Sequence, residues 1–66
     1  MNLIVNGKPV ELVEPATISG LLRELGLEGP YALVERNGTP VERDLYDDTT
    51  LTDGDRLVVA RPVAGG

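Results

Sequence analysis

The sequence predicts an α+β fold, a mixed sheet of four to five strands with one helix packed across one face. Three observations predict it. Asn-Gly occurs twice between short apolar runs, at Asn6-Gly7 and Asn37-Gly38. Between them stands one apolar stripe at helical spacing, Ile18, Leu21, Leu22 and Leu25, and near the end lies an unbroken apolar run, Leu57 to Ala60.

In NLIVNGKPVELV the two apolar runs flank the dipeptide best suited to positive φ in a tight hairpin turn. Leu3 and Val5, then Val10 and Leu12, recur with the period of two that puts them on one sheet face. In PATISGLLRELG the stripe follows i, i+3, i+4, i+7, with Thr17 as N-cap and Gly26 as the left-handed residue after the last turn. Gly20 inside that stripe costs about 1 kcal/mol against Ala, which is read here as close packing on the sheet.

YALVERNGTPVER repeats strand, Asn-Gly, strand. Pro40 lacks an amide donor and belongs on a short edge strand. DLYDDTTLTDGD is read as a solvated acidic loop with a turn at Asp53-Gly54, and its aspartates do not have the spacing of a calcium loop. RLVVARPV gives the central strand, expected to pair in parallel with the first. Pro62 removes a ladder donor, so residues 1–61 are expected to form the domain and 62–66 a flexible tail. This order of elements is a β-grasp, with the helical stripe buried against Leu3, Val5, Leu57 and Val59.

Composition excludes several classes of function. Eleven acids against one Lys and five Arg give a net charge of −5, which repels a phosphate backbone, so nucleic acid is not an expected partner. No apolar run approaches the ~20 residues of a membrane span, and the opening lacks the pattern of a signal peptide. A cytoplasmic protein without membrane association is expected. With no Cys and no His there is no thiol nucleophile, no His-assisted relay and no nitrogen or sulfur zinc site. No hydroxyl of Ser19, Thr17, Thr49 or Thr50 has a base to activate it. Tyr31 and Tyr46 are read as packing residues with solvated hydroxyls.

The sequence ends PVAGG. Taken alone, Gly65 and Gly66 are as well explained by a frayed terminus as by a function. After a well-anchored strand, however, two glycines form a thin tip that passes through a channel too narrow for side chains. Its reactive group is the α-carboxylate of Gly66, with Gly65 and Ala64 threading behind it. A carboxylate is a poor acyl electrophile, and a partner that adenylates it with ATP supplies the leaving group.

VNGKPVEL with TISGLLRELGL, ERNGTPVER, and LTDGDRLVVARPVAGG together resemble the ThiS family of ubiquitin-like sulfur carriers, over the whole chain. That resemblance implies a non-enzymatic protein cosubstrate with no bound cofactor. It implies that Gly66 is adenylated by a ThiF-like enzyme, converted to a thiocarboxylate with sulfur from a donor protein, and used by a ThiG-like thiazole synthase. Pro62 before VAGG is also similar to the related MoaD carriers of molybdopterin synthesis, and a ubiquitin-like modifier joined through Gly66 to target lysines is a further alternative. Val58 and Ala60, facing away from Leu57 and Val59, are candidates with Val63 for a docking patch; incomplete covering of a small sheet explains their exposure equally well.

Overall fold

The structure, a computed structural model, describes residues 1–61. Among these the chain runs β1 (Asn2–Val5), β2 (Lys8–Glu11), α1 (Ile18–Glu24), β3 (Leu33–Arg36), β4 (Thr39–Val41), a 3₁₀ turn (Arg43–Leu45) and β5 (Arg56–Ala60). The strands form one sheet in the order β2-β1-β5-β3-β4. β1 and β5 are parallel, and the remaining neighbours are antiparallel. This is the β-grasp that the sequence predicts, with β5 at the centre.

Both hairpins close with two residues, between Val5 and Lys8 and between Arg36 and Thr39. Asn6 and Gly7 have φ of 52° and 79°, and Asn37 and Gly38 have 52° and 84°, the left-handed pair whose twist matches the flanking strands. Both edge strands carry a proline, Pro9 opposite Ile4 and Pro40 opposite Glu35. Neither proline has an amide to offer a further strand, which protects both edges of the sheet.

The helix begins at its Thr17 cap and ends before Gly26 as expected, but the last residue of its stripe is not buried. Thr17 Oγ1 accepts from the Gly20 amide at 3.1 Å, and Ile18, Leu21 and Leu22 are buried. Leu25, the fourth member of the stripe, is instead the C-cap and 37% exposed. Gly26 then reverses the chain at φ 69°, and Leu27 packs on the core from beyond the turn. Gly20 does not touch the sheet: a Cβ there meets only the Thr17 hydroxyl, at 3.5 Å. The helix buries its stripe against Leu3, Val5, Val34, Leu57 and Val59, as the apolar periodicity requires.

The acidic connection after β4 departs most from the sequence reading. It is a structural element in which Tyr46 and Leu51 are core residues and Asp55 is buried. Its carbonyls cap the helix: Ile18 N–H donates to Thr49 O and Ser19 N–H to Tyr46 O. Together with the Thr17 side chain they satisfy the first three amides of α1, which have no partner within the helix. Tyr46 also keeps its hydroxyl dry, donating to Ala32 O at 3.1 Å and accepting from Val34 N–H at 3.0 Å. Tyr31, expected to pack, is 65% exposed. Among the described residues no helix is long and apolar enough to cross a membrane.

Candidate functional site

β5 is the base from which residues 62–66 continue, so its anchoring defines the candidate site. On one side it pairs with β3 from Leu33↔Ala60 to Arg36↔Leu57. On the other, β1 pairs with only Arg56 and Leu57 before turning away at Asn6-Gly7. The ladder is completed by a side chain. Asn6 Oδ1 accepts from the Val59 amide at 2.8 Å, and Asn6 Nδ2 donates to the Val59 carbonyl at 3.1 Å.

The second Asn-Gly turn does the same at the start of the strand. Asn37 Oδ1 accepts from the Arg56 amide at 2.9 Å, while Asn37 Nδ2 donates to Asp55 Oδ1 at 3.0 Å. Asp55 Oδ2 accepts from Arg36 Nε at 2.9 Å and from the Thr52 amide at 2.8 Å. Burial acts to raise the Asp55 pKa. Hydrogen bonds from Asn37, Thr52 and Arg36, with the Arg36 charge, outweigh it and hold the carboxyl below its ordinary value. Asp53 is also used, its carboxylate accepting from the Asn2 amide at 2.6 Å.

The face of the sheet opposite the helix carries the predicted patch. Along β5 Leu57 and Val59 are buried, while Val58 is 49% exposed and Ala60 lies open beside it. The register adds Leu33, opposite Ala60 and 54% exposed, and places Glu35 opposite Val58. Pro40 and Val41 extend this shallow apolar groove toward the sheet edge. Val63, Ala64, Gly65 and Gly66, the other predicted site residues, lie outside the described residues.

Three residues at this site escaped the sequence reading. Asn6 was read only as a turn former, although Asn, unlike Gly, brings a donor and an acceptor to that position. Leu33 joins the patch through the β3–β5 register, which no local pattern encodes. Asp55 sits beside a turn in an acidic stretch where nothing singles it out. Among the described residues no group of acids is arranged to hold a metal ion.

Comparison with known proteins gives a consistent result. The ThiS family model matches residues 3–66. Over all 66 residues the chain is 33% identical to a thiazole synthase of Paramagnetospirillum magneticum, of whose length it spans 20%. It is 27% identical to the uncharacterized protein ycf40 of Porphyra purpurea, again over its whole length and over 93% of that protein. The fold superposes on the crystal structure of the thiamine biosynthesis protein ThiS from Geobacter metallireducens with a TM-score of 0.83, at 39% identity and full coverage of both chains.

Proposed function

Because the chain belongs to the ThiS family, we propose that it is a sulfur carrier of thiamine biosynthesis, a protein substrate rather than a catalyst, which bears sulfur on the carboxyl of Gly66. The observation that carries this reading is the family match through residue 66, the Gly-Gly end included. The full-length likeness to a thiamine biosynthesis protein supports it.

The chemistry follows from the weakness of a carboxylate as an acyl electrophile. A Gly66 oxygen attacks the α-phosphorus of ATP on a ThiF-like enzyme, and pyrophosphate leaves. Sulfur at the oxidation level of sulfide, delivered by a donor protein, adds to the acyl adenylate and expels AMP, leaving a thiocarboxylate. The chain holds no resident cofactor in this scheme, and ATP is consumed by its partner. Its own contribution is presentation: Gly65 and Ala64 add almost no bulk behind the reacting carbon.

The acceptor is a ThiG-like thiazole synthase. The thiazole synthase relative supports this choice, since there a segment like this chain shares a polypeptide with the synthase. Val58, Ala60 and Leu33 form the docking face, because they are apolar and exposed, the first two on the strand that leads into the tail and Leu33 paired with Ala60 from β3.

Adenylation is tested by ATP–pyrophosphate exchange with a ThiF-like enzyme. The complete chain supports exchange, and a chain lacking Gly66 folds equally well and supports none. Equal exchange by both would overturn the assignment of Gly66.

A further inference from the structure

We infer that Asn6 is a positioning residue for the reacting end of the chain, fifty-three positions before Val59, the residue it grips. The inference rests on the carrier reading above and concerns how the tail is held for activation.

β5 outruns its parallel neighbour. The β1 register ends at Val5↔Leu57, and the Asn6 amide makes the last main-chain bond of that ladder, to Leu57 O at 2.9 Å. Val59 therefore directs an N–H and a C=O toward an edge where no strand continues. The Asn6 carboxamide meets both, at 2.8 and 3.1 Å, in the manner of one more peptide group. It extends the ladder by one step at the place where the backbone has already turned away.

This step fixes where the tail begins. Gly66 lies seven positions beyond Val59 in the sequence, so the placement of Val59 bounds where its carboxylate can be presented. Without the carboxamide, β5 past Leu57 is held from the β3 side alone, and about one further backbone residue must be ordered when the activating enzyme takes the carboxylate. Turn formation favours Asn at this position but does not require its carboxamide to meet Val59, and glycine adopts the same positive φ without strain. Asp would accept the Val59 amide but set a carboxylate against the Val59 carbonyl.

Asn37 provides the control. It occupies the same position in the other Asn-Gly turn, with the same φ, and grips the Arg56 amide at the opposite end of β5. Asn6→Gly and Asn37→Gly each remove a side-chain grip on β5 while keeping the turn, but only the first touches the tail end.

The experiment compares wild type, Asn6→Gly and Asn37→Gly as full chains, reading Tm, amide hydrogen exchange and the kinetics of ATP-dependent activation by a ThiF-like enzyme. In Asn6→Gly the Val59 amide loses protection and the KM for the carrier rises roughly 5-fold, the cost of ordering about one further backbone residue, with kcat unchanged. In Asn37→Gly protection is lost at Arg56 and KM stays at the wild-type value. Equal KM changes in both variants, or none in Asn6→Gly, would overturn the positioning role. Wild type left unactivated would overturn the carrier reading instead, and unchanged Val59 exchange in Asn6→Gly would then overturn the grip itself.

Discussion

Arg36 Nε donates to Asp55 Oδ2 at 2.9 Å across the turn that feeds β5, and the carboxylate is almost wholly buried. The group is ionised at the cost of desolvation, and hydrogen bonds from Asn37, Thr52 and Arg36 more than offset that cost. Its folded pKa therefore lies below the ordinary value of 3.8. A carboxyl depressed on folding contributes stability that is complete above its unfolded pKa and is lost as pH falls through the folded one. Thermal unfolding between neutral and strongly acidic pH tests this: stability falls once pH drops below about 4. Asp55→Asn leaves Arg36 without its counter-charge and costs roughly 2 kcal/mol at neutral pH. The deficit relative to wild type shrinks in acid; a deficit independent of pH would contradict the assignment.

Tyr46→Phe is expected to destabilise the fold although its ring stays buried. The change removes the hydroxyl that accepts from the Val34 amide and donates to the Ala32 carbonyl, at two buried residues around the start of β3. Losing both bonds in a buried place costs about 1–3 kcal/mol. Chemical denaturation of the two proteins, with equal m-values, measures it.

Gly20→Ala is expected to stabilise. The new methyl meets only Thr17 Oγ1 at 3.5 Å, ordinary van der Waals contact, and the position is helical. The gain is about 0.5–1 kcal/mol, from helix propensity and a less flexible unfolded chain. A lower Tm than wild type would show that the N-terminal turn of α1 cannot accommodate the methyl.

Val58→Glu separates docking from folding. The side chain is half exposed on the face opposite the helix, so the fold is kept, at a cost of about 1 kcal/mol from the like charge of Glu35 across the strand and the lost valine. Placed opposite Glu35, the new charge turns an exposed apolar face acidic. Binding to a ThiG-like synthase, followed by titration, should weaken at least 10-fold, which corresponds to about 1.4 kcal/mol. Unchanged affinity would remove this face from the docking surface.

These residues also mark how far the sequence could be read. The hairpins at Asn6-Gly7 and Asn37-Gly38, the buried Ile18-Leu21-Leu22 stripe and the alternation along β5 were legible because each follows from short-range periodicity or turn geometry. Pro40 at an edge was legible from its missing donor. What escaped depends on pairs brought together by the fold: Asn6 with Val59, Arg36 with Asp55, and Tyr46 with Val34. An acidic stretch rich in Thr and Asp has the composition of a solvated loop, yet it supplies the carbonyls that cap α1 and two core side chains. Two members of the exposed apolar patch, Val58 and Ala60, were likewise legible. Leu33 completes it through a strand register that no single segment contains.

The most direct test of the central claim is the intact mass of the protein after incubation with ATP, a ThiF-like enzyme and sulfide, beside a chain lacking Gly66. The account predicts the mass gain of one oxygen replaced by sulfur, located at Gly66 by fragmentation and absent from the shortened chain. No gain, from an enzyme shown to be active on another carrier, would contradict it.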